Sequence, residues 1–224
     1  MPVPPPTAAR PSTPTARRVG RRRRRCATLV AGLAALGLVL VGLAGCAATV
    51  TPPPGPFDDP VEVAVLHEAL HTGLVLPASG GGYVEHGFGD WSWFAEEDTA
   101  SYRVFPVVLW PTRAAWSRRV GAAPALENLQ RRWPHVRLTA FTVERATALR
   151  LRDRLEDAWH TLPGPRLLRG ADRHAFVSAE PGYWFGYNCN DAVAEWLDEL
   201  GCDTGWSVIR TGLHVEGRAL RQPD

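Results

Sequence analysis

The segment H-E-A-L-H-T-G-L-V-L-P, residues 67–77, is compatible with two different local structures, and each predicts a different chemistry. On a helix, H-E-x-x-H would place two zinc-binding imidazoles one turn apart, with Glu68 beside them as a general base. On a strand, only His71 would belong to a site, because H-T-G-L-V-L-P is typical of a short strand that Pro77 ends. The segment therefore predicts either a zinc hydrolase or a site built around His71.

The sequence around this segment favours the strand. Residues 61–66, V-E-V-A-V-L, alternate with the period of two that is typical of a strand. Pro60 and Pro77 leave only 16 residues between them, which is short for a helix with several turns around the motif. We therefore expect two strands joined by a turn that contains His67, and we expect no metal or other cofactor. The less favoured alternative is a zinc hydrolase that uses His67, Glu68 and His71, with a third ligand from Glu85, Glu96 or Glu97.

The first 46 residues have the features of a bacterial export signal. Eight arginines precede an apolar run over residues 27–44, and the run ends in L-A-G-C at Cys46. A basic segment, an apolar segment and a small-residue cleavage site together predict a secretory signal peptide. L-A-G-C resembles a lipobox, which implies cleavage before Cys46 and acylation of its thiol. We expect an exported protein held on the outer face of the cell membrane by this lipid; an uncleaved membrane anchor is the alternative.

The net charge changes sign once this segment is set aside. The whole chain carries 25 Lys+Arg and 23 Asp+Glu, a formal charge of +2. Residues 1–46 hold eight of the basic residues and none of the acidic ones, so the remainder has 17 against 23, a net charge of −6. A mildly acidic mature protein argues against DNA or RNA as a partner.

Residues 47–60 are rich in proline and predict a short extended tether. Residues 61–224 are enough for one domain with a substantial core, and their mixed pattern predicts an α+β fold. The predicted strands are 61–66, 71–77, 83–88, 102–110 and 135–141. The predicted helices are 111–120, a helix from a Thr142 cap to about residue 160, and 191–200 with Asn190 or Asp191 as its cap. We expect a long loop over residues 161–182.

Cys189 stands at the start of the last predicted helix. The macrodipole and the free backbone N–H groups at that end favour a thiolate, which is the nucleophilic form of cysteine. A disulfide with Cys202 is one alternative, but a helix between them would hold their Cα atoms roughly 17–20 Å apart, whereas a disulfide needs less than about 7 Å. A buried, inert thiol is the other alternative. A nucleophilic Cys189 would also need a base.

Three motifs in this order carry a family resemblance: H-T-G at residues 71–73, Y-V-E-H-G-F-G-D at 83–90 and Y-N-C-N-D at 187–191. Over most of residues 61–201 the chain resembles an uncharacterised bacterial envelope family named for its occurrence near urease genes. The motif order also resembles the circularly permuted NlpC/P60 class of papain-like proteins, which includes the lecithin:retinol acyltransferase type. The resemblance implies a permuted papain-like domain, a small antiparallel sheet packed on helices.

The resemblance also implies roles for particular residues. Cys189 would be the nucleophile and His71 the general base. The group that orients His71 falls on Y-V-E-H-G-F-G-D: His86 matches best, Glu85 is the adjacent alternative and Asp90 the third. Neighbouring strand residues point to opposite faces, so only one of Glu85 and His86 can serve.

The expected function is a cysteine hydrolase or acyltransferase that acts on amide or ester bonds of peptidoglycan peptides or lipids. The alternative is a non-catalytic envelope or binding protein of the same fold. Other histidines carry no motif, although His174, in the loop before Cys189, is placed to line a site.

Overall fold

The computed structural model describes residues 47–100, 104–170, 172–207 and 209–220. The predicted signal peptide, its apolar run and the predicted acylation site Cys46 lie outside these residues. Within the described ranges, no helix is long and apolar enough to cross a membrane.

The described residues form an α+β fold in which strands predominate. The strands are β1 (Ala47–Val50), β2 (Pro60–Glu68), β3 (His71–Pro77), β4 (Tyr83–Asp90), β5 (Thr112–Gly121), β6 (Arg137–Glu144), β7 (Leu167–Arg169), β8 (His174–Tyr183), β9 (Gly212–Val215) and β10 (Arg218–Ala219). The helices are α1 (Val104–Leu109), α2 (Leu126–Arg132), α3 (Arg145–Thr161) and α4 (Cys189–Glu199), with a π-helical turn at Trp91–Ala95.

Eight strands form one antiparallel sheet in the order β10-β6-β2-β3-β4-β5-β8-β7. The remaining two, β1 and β9, pair in parallel. The predicted α+β class with an antiparallel sheet is confirmed, but the sheet is larger than expected. Strand β1 lies within the predicted tether, so residues 47–50 are part of the folded structure and do not form a free linker.

Residues 67–77 form a hairpin. Strand β2 continues through Glu68, and His67 pairs with Thr72 while Glu68 pairs with His71. The turn is made by Ala69, which has a positive φ of 41°, and by Leu70. Because successive strand residues point to opposite faces, His67 and His71 lie on opposite faces of the sheet. The helix that the H-E-x-x-H interpretation requires is therefore absent, and His67 belongs to the strand and not to the turn.

The two faces of the sheet are covered differently. On one, which we call the helical face, α3 and α4 pack on alternate strand residues such as Val65 and Leu74. On the other, the cavity face, α2 packs on Leu66 and Val75 near one part of the sheet, and His71 and Glu85 point to the same side. The alternation of residues in β2, β3 and β4 thus decides which side chains enter the core and which enter the site.

Several element predictions are wrong, and the largest error is at residues 102–121. The predicted strand 102–110 contains α1, and the predicted helix 111–120 is strand β5. The segment P-T-R-A-A-W-S-R-R-V was predicted as a helix. In the structure Arg118 and Arg119 point to opposite faces and each meets a carboxylate, Glu156 and Glu85 respectively. Ion pairing inside the fold therefore overrides the local pattern.

Three further boundaries differ from the prediction. The predicted loop 161–182 contains β7 and most of β8, because β8 pairs along β5. Strand β6 continues past Thr142, so Glu144 precedes α3 without capping it, and its carboxylate accepts the N–H groups of Asp58 and Asp59 instead. The last helix begins at Cys189. Its N-cap is Asn188, which forms a capping box with Asp191.

We expect Leu197→Ala to lower the free energy of unfolding by about 2–5 kcal/mol, because Leu197 is fully buried in α4 against the sheet and the truncation leaves a cavity. Chemical denaturation measures this loss. The matched control on the same helix is Glu199→Ala. It breaks an exposed ion pair with Arg154 of α3 and costs less than about 1 kcal/mol. Equal losses in the two variants would contradict the packing described for α4.

Candidate active site

The start of α4 is held rigidly by Asn188. Its side-chain oxygen accepts the N–H of Asn190 at 2.9 Å, and the Asp191 carboxylate accepts the N–H of Asn188 at 3.1 Å. The side-chain amide of Asn188 also donates to the carbonyl of Arg210 at 3.1 Å. Cys189 is consequently the first residue of the helix, where backbone N–H groups and the macrodipole favour negative charge.

Strand β3 delivers His71 to this helix start. The Thr72 hydroxyl donates to the side-chain oxygen of Asn190 at 2.9 Å, in a buried contact that joins β3 to α4. The thiol of Cys189 lies at this junction, and the imidazole of His71 and the backbone N–H of Thr72 are among the groups that lower its pKa. The Tyr183 hydroxyl and the Leu70 carbonyl each lie 3.9 Å from the sulfur.

The Cys189 thiol and the His71 imidazole stabilise each other's charge. Burial opposes charge on both groups, but the hydrogen bond to Cys189, the contact with Glu85 and the negative charges of both raise the pKa of His71 to about 9. Burial also opposes the thiolate, but the hydrogen bond and charge of His71, with donors from Thr72 and Tyr183, lower the pKa of Cys189. Both shifts favour the thiolate form of Cys189 and the imidazolium form of His71.

Glu85 is the carboxylate that stands beside His71. Its Oε1 lies 3.8 Å from Nε2 of His71, an ion-pair distance longer than a hydrogen bond, and its side chain is fully buried. Burial opposes the charge of Glu85, but the contact with His71 and the positive charges of Arg119 and His71 lower its pKa to about 2. The carboxylate therefore stays charged and supports the imidazolium form of His71.

His86, the residue expected to orient His71, points to the opposite face. It pairs in register with Leu74, on the helical face, and its Nδ1 accepts the indole N–H of Trp116 at 3.2 Å. Its Nε2 lies 3.0 Å from the carboxylate of Glu156 on α3. The expectation for His86 is therefore corrected by the alternation of β4: this histidine fastens α3 to the sheet, and Glu85 is the neighbour of His71.

Asp90, the third candidate, is engaged elsewhere. Its carboxylate accepts the backbone N–H of Trp93 at 2.8 Å and thereby caps the π-helical turn, and it also accepts the hydroxyl of Thr112. It lines the cavity described below but serves the turn and not His71.

Two glycines make room for the site. A Cβ at Gly73 would lie 2.5 Å from Oε1 of Glu85, and a Cβ at Gly87 would lie 2.6 Å from Nε2 of His71. Real Cβ atoms do not approach other atoms so closely. The glycines of H-T-G and E-H-G are therefore needed for close approach, because any side chain there would displace the imidazole or the carboxylate.

Glu85 also lies near a histidine and an arginine that the sequence did not single out for this role. Nε2 of His174 lies 3.5 Å and Nε of Arg119 3.7 Å from Oε2 of Glu85. Burial, with the charges of Arg119 and His71, lowers the pKa of His174 to about 4 despite the opposing charge of Glu85, so His174 is neutral at pH 7. The guanidinium of Arg119 stacks over the Trp133 ring, 4.1 Å from its centroid. The sequence did not indicate these neighbours of Glu85, because Arg119 lies in a segment predicted as a helix and His174 in one predicted as a loop.

A cavity of about 940 Å³ lies on the cavity face, and His71, Arg119 and His174 line it. The ring of Phe94 covers His71 with 4.0 Å between ring centroids. The carboxylate of Glu68 lies beside His135 at the cavity wall, with 3.6 Å between Oε1 and Nε2. The wall mixes aromatic and charged side chains, including Trp93, Phe94, Trp133, Tyr183, Arg119 and Arg169. The cavity suits a substrate with both apolar and polar parts.

Metal ligation was the other chemistry that the sequence allowed. Within the described residues, no group of three or more His, Cys, Asp and Glu side chains is arranged to hold a metal ion. Cys189 and Cys202 are both free thiols, so the disulfide alternative is wrong.

Searches with models of protein families, among curated proteins and among solved structures find no match to this chain.

We expect Glu85→Gln to lower the pKa of His71 from its value of about 9, because the substitution removes the nearest carboxylate charge without changing the shape of the side chain. An NMR titration of the His71 ring proton measures the shift. His86→Gln is the matched control on the neighbouring residue: it should leave the pKa of His71 unchanged while weakening the attachment of α3. A larger shift in the control than in Glu85→Gln would restore His86 as the orienting group.

We expect Gly87→Ala to fold but to lose most of the reactivity of Cys189, because the new methyl group displaces the His71 imidazole. The rate of reaction of Cys189 with iodoacetamide at pH 7 reports the change. Gly80→Ala is the control, since a Cβ there meets nothing within 4 Å. If the two variants react at the same rate, the close approach of Gly87 to His71 has no part in the site.

Proposed function

We propose that this protein is a cell-envelope lipoprotein with a permuted papain-like domain of the NlpC/P60 type, and that Cys189 attacks amide or ester carbonyls. The observation that carries the proposal is the junction between the start of α4 and the start of β3. There Thr72 bonds to Asn190 and the Leu70 carbonyl lies 3.9 Å from the sulfur of Cys189, so the thiol lies beside His71. A thiolate at a helix start, a histidine as its base and a buried carboxylate beside the histidine are the parts that nucleophilic catalysis requires.

In the proposed reaction, the Cys189 thiolate forms a bond to the substrate carbonyl carbon, and the carbonyl electron pair moves to oxygen. The tetrahedral intermediate then breaks its bond to the leaving nitrogen or oxygen, which takes a proton from the His71 imidazolium. Neutral His71 next removes a proton from water or from another acceptor, which attacks the thioester. Collapse releases the acyl product and restores the thiolate and the imidazolium.

Two donors meet where the oxyanion would form. The Asn190 N–H is occupied by Asn188, which leaves the N–H of Cys189 itself as the backbone donor at the helix start. The Tyr183 hydroxyl lies 3.9 Å from the sulfur of Cys189. Burial and the neighbouring Cys189 charge raise the pKa of Tyr183 well above its usual value, so its hydroxyl keeps its proton and can donate it to an oxyanion.

The predicted lipobox and the class resemblance together suggest peptidoglycan peptide amides, or lipid esters and amides, as substrates. Both classes combine apolar and polar parts, as the cavity wall does. The proposed location is the extracytoplasmic face of the cell membrane, through acylation of Cys46.

One observation favours the second candidate, a binding protein of the same fold without catalysis. Cys189 is only 4 % exposed, because Leu70 and Tyr183 lie over the sulfur. A ligand in the cavity would then contact His71 without reaching the thiol. On this alternative, Cys189→Ala leaves the function of the protein intact.

Alkylation of Cys189 as a function of pH tests the proposal. We expect Cys189 to react with iodoacetamide well below pH 8, because the pKa of its thiol is lowered beneath the usual value of about 8.5. Cys202 is the internal control: burial and the charge of Asp198 raise the pKa of its thiol to about 12, so it should react slowly throughout. Mass spectrometry of the digested protein reports the two thiols separately.

His71→Ala should abolish the advantage of Cys189 over Cys202, because it removes the partner cation while leaving the helix start in place. A control for access is the reaction of both thiols in denaturant. If Cys189 reacts no faster than Cys202 in the folded protein, the thiol is structural and the binding-protein alternative replaces the proposal.

A further inference from the structure

The predicted acylation site adjoins the folded structure directly. Cys46 immediately precedes β1, and Ala47, the first residue of β1, pairs with Gly212 of β9. Consecutive Cα atoms are about 3.8 Å apart, so a lipid on residue 46 is held about one residue from the folded structure. Residue 51, directly after β1, is also paired with the domain through Asp203, so this part of the predicted tether does not separate the domain from the lipid site.

This anchor point is close to the start of α4. Gly212 follows Arg210 by two residues, and the Arg210 carbonyl accepts hydrogen bonds from the side chains of Asn188 and Asn190, which flank Cys189. Strand β1, which directly follows the predicted lipid site, therefore pairs with a strand that begins two residues after the segment bonded to the start of α4.

Large apolar side chains are exposed on the segments that surround the start of α4. Trp206 is 89 % exposed and follows Gly205, which packs against the Thr49 carbonyl of β1. Leu70 is 76 % exposed, and its own carbonyl faces the sulfur of Cys189. Trp184 precedes Phe185, whose N–H donates to a carbonyl of α1. Helix α1 ends at Leu109, and Trp110 follows it. We call these five exposed residues the apolar rim: Leu70, Leu109, Trp110, Trp184 and Trp206.

We propose that the apolar rim lies on the surface of the lipid bilayer in which the acyl group of Cys46 is inserted. An exposed set of apolar side chains marks an interaction surface, and tryptophan is the residue that favours the membrane–water boundary. A bilayer is the occupant that the chain itself would bring here, because the predicted lipid site directly precedes β1 and the Thr49 carbonyl of β1 lies beside Gly205, the neighbour of Trp206. The lipid holds the domain at the membrane, and the rim fixes its orientation with the start of α4 towards the lipid.

The proposal rests on the lipoprotein part of the proposed function and not on the thiol chemistry. If both hold, amide or ester groups that reach Cys189 are presented from the membrane surface. The two are tested separately, because orientation at the bilayer and reactivity of Cys189 have different readouts.

Fluorescence quenching tests the orientation. The full chain is expressed in an exporting bacterial host, in a Cys189→Ala background, and reconstituted in phosphatidylcholine vesicles with a nitroxide on the acyl chains. One variant carries a bimane label through Trp206→Cys. The matched control is Val120→Cys: Val120 is an exposed apolar residue that pairs with Val84, at the end of the strands away from His71. Cys202 stays unlabelled because burial raises the pKa of its thiol.

The label at position 206 should lose fluorescence in nitroxide vesicles, and the label at position 120 should not. Trp110→Cys provides a second rim position and should behave like position 206. Mass spectrometry of the same samples establishes whether Cys46 is acylated. Absence of acylation, or acylated protein in which rim and control labels are quenched equally or not at all, would overturn the proposal. Fast alkylation of Cys189 in the wild-type protein alongside such a result would leave the thiol chemistry standing and refute only the docking.

Discussion

The contact between the first residues of β3 and the first residues of α4 is the constraint on which the site depends. The buried hydrogen bond from Thr72 to Asn190 fixes the strand against the helix, and the capping of α4 by Asn188 fixes where the helix begins. A shift of α4 by one residue would rotate Cys189 away from His71, because successive helical residues are about 100° apart. The polar contacts at this junction therefore set the geometry of the thiol and the imidazole more strictly than apolar packing alone would.

The pairing of β3 with β4 also determines which charged side chains lie on the cavity face. Alternation sends Glu85 towards His71, and burial of a carboxylate is costly unless cations accompany it. The cations are His71 and Arg119, which lie 3.8 and 3.7 Å from its two oxygens, and neutral His174 lies 3.5 Å away. Gly73 and Gly87 complete the arrangement, because the absence of a Cβ at each position leaves the space that the carboxylate and the imidazole occupy.

Some of this could be predicted from the sequence, and the physical reasons differ by segment. Pro77 and the alternation in V-E-V-A-V-L carry local information, so β2 and β3 were predicted close to their observed ranges, with β3 at residues 71–77. Segments whose neighbours are distant in sequence were mispredicted. Strand β5 was predicted as a helix, and its Arg118 and Arg119 form ion pairs with the distant residues Glu156 and Glu85. The choice of His86 over Glu85 failed for a related reason, because the sequence shows that the two face opposite ways but not which face holds His71.

The central claim is that Cys189 and His71 form a thiolate–imidazolium pair in the folded protein. The most direct measurement is the ultraviolet absorbance of the thiolate as a function of pH, taken as the difference between the wild-type protein and Cys189→Ser. We expect the difference to be present already at neutral pH and to decrease only in acid. We also expect His71→Ala to remove the difference at neutral pH. A difference that appears only near the usual thiol pKa of about 8.5 or above would contradict the account.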